Sequence, residues 1–283
     1  MHFIFLSPAF REGSIERTAA AQLGDFIGGY VGTVFALVSI LLLLATLRAQ
    51  REATALESFE TRFFQLITLH RKNADEMFLQ NATGRRIFVL LVREFREIHR
   101  IVSTLATDGS ETFSQKELLG ISYLCLHYGT GPNSSRMLLQ ALGDQAGPLA
   151  GALVKKLADA GLKEEVQKRR SLGYVPFEGH QSRLAHYFRH LFQTVKYVDM
   201  RGPDPDRYDY VKTIRAQLTN HEQAILLLNS LSPLGREWWA SQLLTRYRLV
   251  CNLPRDFFDS KTEMNVSELF SAGYFEWDES ARV

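Results

Sequence analysis

Two histidines one helical turn apart are the first side chains in this sequence that suggest chemistry. His186 and His190 are four residues apart, so on a helix both imidazoles face the same side, where they can hold a metal ion. The zinc-hydrolase pattern also requires a glutamate between the histidines, and the intervening letters YFR include none. His180 supplies a third ligand only if its loop folds back. Because aromatic residues flank the pair, we interpret both as packed or surface side chains and predict no metal and no cofactor.

An arginine and a histidine form a second candidate pair. Arg215 and His221, in the segment RAQLTNH, resemble in spacing the Arg-x4–6-His signature of HEPN ribonucleases, which are helical and common in phage defence. In that family the arginine is usually followed by a polar residue such as Asn, whereas Ala216 follows it here. The same spacing recurs at two other places in this chain, so chance also accounts for it. A ribonuclease using Arg215 and His221 is therefore the alternative function.

Other signatures of catalysis are missing from the sequence. It has no Gly-rich phosphate loop that leads into Lys-Ser/Thr, and no G-x-S-x-G elbow. The two cysteines, Cys125 and Cys251, stand alone and form no CxxC motif. The net charge is only +2 with both signs scattered along the chain, which gives no strong nucleic-acid signal. These observations favour a protein that is not an enzyme.

An uncharged apolar run near the N-terminus indicates where in the cell this protein resides. Residues 26–47 read FIGGYVGTVFALVSILLLLATL and, at about 1.5 Å per residue, span a hydrocarbon core of roughly 30 Å. Arg48 and Arg51 follow the run closely, and this excess of positive charge favours a cytoplasmic side after it. We predict a single transmembrane helix in contact with membrane lipid, with the bulk of the chain in the cytoplasm.

Small residues recur every fourth position along one face of this run. Gly28, Gly32 and Ala36 form a small-xxx-small pattern that lets two helices approach closely. We expect a homo-oligomer to form through Gly28, Gly32 and the stalk that follows this run.

The helix is predicted to continue past the membrane as a stalk. Neither Pro nor Gly occurs between Ala36 and Thr83, and apolar residues follow a spacing of four and three that is typical of coiled coils. His70 and Asn73 lie on this seam, where polar residues set register or partner. Gly84 is expected to end the helix. The seam residues are Phe59, Phe63, Leu66, His70, Asn73, Met77 and Gln80.

The remaining chain has the periodicity of helices only, so the fold class is all-α: a transmembrane helix continuing into a cytoplasmic stalk and a helical-bundle domain. Ser114 and Glu117 have the spacing of a capping box, and Asn220 is expected to cap a buried helix, 221–231. Arg215 is the expected partner of Glu222 on that helix. Other helices are predicted at 85–105, 114–128, 134–142, 148–160, 181–200, 207–218 and 234–249. The segments are 1–25, short N-terminal segment; 26–47, transmembrane helix; 48–83, stalk; 84–254, helical domain; and 255–283, tail.

Several segments together resemble one protein family. They are the apolar run with its flanks (24–50), a Phe-rich segment ending in His-Arg-x-Asn (63–73) and followed by Gly84-Arg85, the segments HYFRHL (186–191) and YVKTIRAQL (210–218), and then Glu222, Asn229, Gly235, Tyr247 and Asn252-Leu253. In their order and spacing, from residue 24 to about 254, they are similar to the putative phage abortive infection proteins, the AbiC-like group. The resemblance implies a bacterial defence protein in the inner (cytoplasmic) membrane that limits phage propagation at the cost of the infected cell.

The resemblance supplies no biochemical activity, but it draws attention to a set of polar residues. They form either a network that fixes helix packing or a site that senses a phage or host component. A membrane scaffold with no role in defence is a further alternative. Family members often begin with two membrane helices, so either the true start lies upstream or the N-terminus is outside. The polar residues are His70, Arg71, Asn73, Arg85, Tyr187, Arg215, Gln217, Glu222 and Asn229.

Overall fold

A computed structural model describes residues 17–109 and 112–279, without the side chains of residues 144 and 145. Helices make up 72% of the structure and strands 2%, which confirms the predicted all-α class. The chain divides into two units, one ending at Glu60 and the other beginning at Thr61. Most of the predicted short N-terminal segment, residues 1–16, lies outside the described residues.

The first unit contains the apolar run. Helix α1 (Arg17–Phe26) passes through one π-helical turn (Ile27–Val31) into α2 (Gly32–Asp75). By length and composition this helical stretch is long enough and apolar enough to cross a membrane, and none of its most apolar window is buried. The Ser and Thr hydroxyls within the run donate to carbonyl oxygens one turn earlier, which satisfies these donors on an apolar surface. These hydroxyls belong to Thr33, Ser39 and Thr46.

Helix α2 ends at Asp75, eight residues before the end of the predicted stalk. A hairpin follows, in which β1 (Phe78–Leu79) pairs antiparallel with β2 (Ala82–Thr83). Gln80 adopts a left-handed φ of 48° at its turn, a conformation that ends any helix. The expectation that the helix continues to Gly84 is therefore wrong.

Phe63 and His70 are among the residues of the predicted seam that pack inside the second unit. The ring of Phe63 meets the ring of Tyr210 edge to face at 5.0 Å, and His70 lies against Tyr187 with ring centroids 4.7 Å apart. Both side chains are buried. This packing explains the apolar spacing of residues 61–75 without a second copy of the chain, and the coiled coil stays a prediction.

The second unit is built around one buried helix, α10. All ten residues from Glu222 to Leu231 are buried, as predicted from their apolar composition, and α10 packs against α3 and α4. The helices of this unit after α2 are α3 (Arg86–Asp108), α4 (Gln115–Tyr128), α5 (Ser134–Ala146), α6 (Leu149–Ala158), α7 (Ala160–Arg169), α8 (Gln181–Arg201), α9 (Arg207–Arg215), α10 (Asn220–Leu231), α11 (Glu237–Ala240), α12 (Leu243–Arg246) and α13 (Glu276–Glu279).

The helix caps agree with the sequence at α4 and differ at α10. Ser114 and Glu117 form the predicted capping box, in which the Glu117 carboxylate accepts from the Ser114 N–H at 2.8 Å. At α10 the cap is Thr219, whose hydroxyl accepts from the Glu222 N–H at 3.3 Å. The prediction of Asn220 is wrong because Thr219 is the last residue with extended backbone, and Asn220 is already helical.

The predicted helix over residues 234–249 is also wrong. Pro233–Gly235 forms a 3-10 turn, and α11 and α12 are separated by Gln242, whose φ is 57°. Because a residue in the left-handed region cannot continue a right-handed helix, two short helices replace one long helix. Trp238, Leu243 and Leu244 are all buried in this arrangement.

Two glycine backbones cross where α4 ends. Gly129 (φ +64°) and Gly179 (φ +87°) approach so closely that a Cβ at Gly129 would lie 2.0 Å from the Gly179 nitrogen. The His180 N–H donates to the His127 carbonyl at 2.9 Å across this crossing. Only glycine fits both positions, and the crossing holds the start of α8 against the end of α4.

Candidate functional site

A buried polar cluster links the end of α2 to α8 and α10. Tyr187, on α8, donates its hydroxyl to Glu222 Oε1 at 2.8 Å, and Arg85 Nε lies 3.9 Å from the same oxygen. His70, near the end of α2, packs against the Tyr187 ring. His70, Tyr187 and Glu222 are each no more than 2% exposed, and Arg85 is about one third exposed. We call these four residues the α8 polar cluster.

Glu222 is the centre of the cluster because both of its carboxylate oxygens are used. Oε2 accepts from the backbone N–H and the hydroxyl of Thr219, each at 2.7 Å. Oε1 accepts from Tyr187 and faces the Arg85 guanidinium. Burial of a carboxylate is costly unless hydrogen bonds and a cation compensate for the lost water, and here both are present. One side chain therefore caps α10 and ties it to α8.

His70 is held in the neutral form. Burial, followed by the positive charges of His190 and Arg85, lowers the pKa of His70 to about 3. Its Nδ1 is buried and has no hydrogen-bond partner among the described residues. His190 stacks on the His70 ring with centroids 5.9 Å apart. Burial, then the Glu222 carboxylate, raises the pKa of Tyr187 well above its usual range, so its hydroxyl stays a donor at neutral pH.

A cavity of about 260 Å³ opens beside the cluster. Tyr187, Asn73, Arg183 and His186 contribute to its wall. Arg183 also donates to the Phe78 carbonyl at 2.7 Å, so the β-hairpin closes one side of the cavity. Across the residues that the structure describes, no group of three or more His, Cys, Asp or Glu side chains is arranged to hold a metal ion. The space suits a small polar ligand or ordered water.

The other sequence-predicted residues lie outside the cluster. Arg71 is exposed, Gln217 is half-buried, and Asn229 donates to the Tyr123 hydroxyl at 3.0 Å. Asn73 reaches only the wall of the neighbouring cavity. The cluster thus contains His70, Arg85, Tyr187 and Glu222 of the nine residues that the resemblance implied.

Arg215 does not pair with Glu222, and that prediction is wrong. Its guanidinium donates to the carbonyl oxygen of Arg248 at 3.3 Å and lies 3.8 Å from the Glu276 carboxylate. Arg215 is the last residue of α9, and its contacts are with the chain that follows α12. The cation beside Glu222 is Arg85, which comes from before α3.

Arg215 and His221 are not arranged as the catalytic pair of a nuclease. Arg215 is 6% exposed and its guanidinium is already engaged. His221 meets the Phe257 ring edge to face at 5.2 Å. Burial, then the charges of Arg96 and Arg93, lowers the pKa of His221. The geometry therefore gives no support to the ribonuclease alternative.

A second buried carboxylate, which the sequence reasoning missed, lies on α3. Glu94 is fully buried and accepts from the Tyr174 hydroxyl at 2.6 Å, the Phe177 N–H at 2.7 Å and His180 Nε2 at 2.9 Å. Burial opposes ionisation, but the charge of His180 and these hydrogen bonds lower the pKa of Glu94 below its usual value. The carboxylate fixes the loop that leads into α8.

Glu97, one turn later on α3, holds α7 in place. It is 1% exposed and accepts from Arg169 and Arg170, each at 2.6 Å, and from Arg100 at 3.1 Å. The signal for both glutamates was present in the sequence, since they interrupt the apolar face of a strongly periodic helix. A charge at such a position requires a buried partner.

Residues 179–258 match the family model described as putative phage abortive infection protein. The predicted resemblance is confirmed over this range, which contains Tyr187 and Glu222 of the α8 polar cluster. No curated protein and no solved structure matches the chain.

Proposed function

We propose that this chain is a membrane-anchored bacterial protein that limits phage propagation by abortive infection. The match of residues 179–258 to the abortive infection family is the observation that carries the proposal. The matched range begins just before α8 and includes all of α10, so it coincides with the central helices of the second unit.

The anchor in this proposal is the apolar run of α2. Its side chains are exposed along its whole length, including Phe35 at 68% and Leu42 at 63%. Such a surface is unfavourable in water and is matched by the acyl chains of a bilayer. The proposed cytoplasmic location of the C-terminal side is supported by Arg48 and Arg51, which follow the run closely.

Self-association is proposed through one face of the anchor. A Cβ built at Gly28 meets nothing within 4 Å, so this face is open to a neighbouring helix. Close approach of two backbones at Gly28 and Gly32 is the usual form of such contacts in membranes. A crosslinking gel tests it, because Gly28→Leu and Gly32→Leu variants that remained fully dimeric would contradict it.

The second unit is proposed to sense infection through a phage or host component. In the α8 polar cluster, His70 on α2 packs against Tyr187, and Tyr187 bonds to Glu222 on α10. A component that enters the neighbouring cavity changes this arrangement and, through His70, acts on the helix that also contains the apolar run. The effect at the membrane is a rearrangement or assembly of that helix and needs no catalytic turnover.

Phage challenge tests the proposal. Cells that express the full chain, a deletion of residues 1–47, or Tyr187→Phe are infected, and plaques are counted at matched protein levels. Of these three strains, only the one that expresses the full chain should be protected. Tyr208→Phe is the control, since Tyr208 lies on the exposed surface of α9. Unchanged plaque numbers with the full chain would refute a defence role and favour a membrane scaffold.

Cellular RNA from the infected, protected cells separates the proposal from a nuclease. Intact RNA is expected, together with unchanged protection by the His221→Ala variant. Degraded RNA that depends on His221 would contradict the proposal.

A further inference from the structure

We propose that a second cavity, between the end of α4, α8 and the turn from α10 into α11, binds a mononucleotide. Its volume is about 340 Å³, at the lower end of the range of roughly 300–1,000 Å³ for small-molecule sites. The lining combines aromatic rings, a buried amide, a buried imidazole and an exposed cation, which together fit a base linked to a phosphate. All of its residues belong to the second unit.

One half-buried ring, Phe192, provides the surface for a planar base, and two buried rings support it. Phe188 and Trp238 line the cavity and are 5% and 2% exposed, so their positions are fixed by the core. Phe192 meets the Trp238 ring edge to face at 4.9 Å and lines the same cavity. Every nucleobase has a π face that can stack on such a ring, whichever of the bases it is.

A buried amide is positioned to read the edge of the base. Asn229 donates its Nδ2 to the Tyr123 hydroxyl at 3.0 Å, which orients the amide and leaves Oδ1 as the atom available to a ligand donor. Gly235 packs directly on this residue, since a Cβ there would lie 2.5 Å from Asn229 Oδ1. The amide is therefore held rigidly in the cavity wall.

A neutral imidazole adds a second polar group. His127 lines the cavity, is 5% exposed, and its Nδ1 is buried without a hydrogen-bond partner in the described part of the chain. Burial, then the charge of His180, lowers the pKa of His127 to about 4. At neutral pH the ring is uncharged, so it carries one donor and one acceptor and imposes no charge on a base.

An arginine and a glutamate complete the lining. Arg189 is exposed on α8, where its guanidinium can bind a phosphate through two parallel hydrogen bonds. Glu237, at the start of α11, offers a carboxylate for ribose hydroxyls or an exocyclic amine. A neutral aromatic ligand would leave the arginine without a role, and inorganic phosphate would leave the aromatic rings without a role.

Isothermal titration calorimetry on the purified full chain in detergent micelles tests this assignment. The probes are AMP, GMP, CMP and UMP, with adenosine and inorganic phosphate as partial ligands. At least one nucleotide is expected to bind, and more tightly than adenosine or phosphate alone. Arg189→Gln should weaken that nucleotide about tenfold, because one charge-assisted contact is lost, and leave adenosine unchanged.

Arg201→Gln is the matched control, since Arg201 is exposed on the same helix and lies outside the cavity lining. It should bind the nucleotide as the wild type does. Failure of all four nucleotides, equal binding of phosphate alone, or an equal loss in Arg201→Gln would overturn the assignment. These titrations use purified protein, so their outcome is separate from whether the chain protects cells.

Discussion

Removal of the Tyr187 hydroxyl should weaken the second unit measurably. The hydroxyl donates to Glu222 at 2.8 Å, and both residues are 1% exposed. A hydrogen bond to a charged group contributes about 1.5–3 kcal/mol, so Tyr187→Phe should lower the free energy of unfolding by about 2 kcal/mol. For a unit of this size, that corresponds to a melting temperature lower by about 4–8 °C.

Tryptophan fluorescence during heating of the full chain in detergent measures this loss. All three tryptophans, Trp238, Trp239 and Trp277, lie in the second unit, so the apolar helix does not contribute to the signal. In a Glu222→Gln background the same Tyr187→Phe change should cost about 1 kcal/mol less, which is the coupling expected for a direct contact. Equal melting temperatures of Tyr187→Phe and Tyr208→Phe would refute the role given to this bond.

Three further predictions concern pH, ion pairing and backbone space. The pKa of His70 is about 3 in the folded chain and about 6.5 in the unfolded chain, so the free energy of unfolding decreases as the pH falls below 6.5. From pH 7.5 to pH 5.5 the contribution of His70 should drop by about 1.4 kcal/mol. Thermal melts of His70→Gln should lack this pH-dependent loss. Glu97→Gln should cost about 2 kcal/mol in urea unfolding because three arginines lose their carboxylate, whereas Arg100→Gln, on an exposed arginine, should cost under about 0.5 kcal/mol. Gly129→Ala should cost more than about 3 kcal/mol in the same assay, since its Cβ would clash with backbone, while Gly143→Ala, in open space on α5, should be neutral or stabilising.

Local patterns in the sequence predicted much of the helical fold. The capping box at Ser114 and the continuous apolar segment after Glu222 depend on residues within one or two helical turns, so the sequence alone is enough to predict both features. The long apolar run was equally visible. Departures occur at Gln80 and Gln242, where a non-glycine residue takes a left-handed conformation that no local preference signals.

The candidate site was only partly predictable, for a different physical reason. Tyr187 and Glu222 were recognised from motifs, but their partners are set by packing between distant segments. Arg85 lies 137 positions before Glu222 in the sequence, and Glu94 lies 86 positions before its partner His180. Arg215 is closer in sequence to Glu222 than Arg85 is, yet from the end of α9 its side chain lies near Glu276 instead. Charge pairing across such distances depends on the fold itself.

Plaque counts test the central claim most directly. Cells that express the full chain from its own promoter are infected with a panel of phages, beside cells that express the deletion of residues 1–47 at the same level. Fewer plaques with the full chain, and full plaque numbers with the deletion, are the predicted result. Equal plaque numbers in both strains and in cells without the protein would contradict a membrane-anchored role in phage defence.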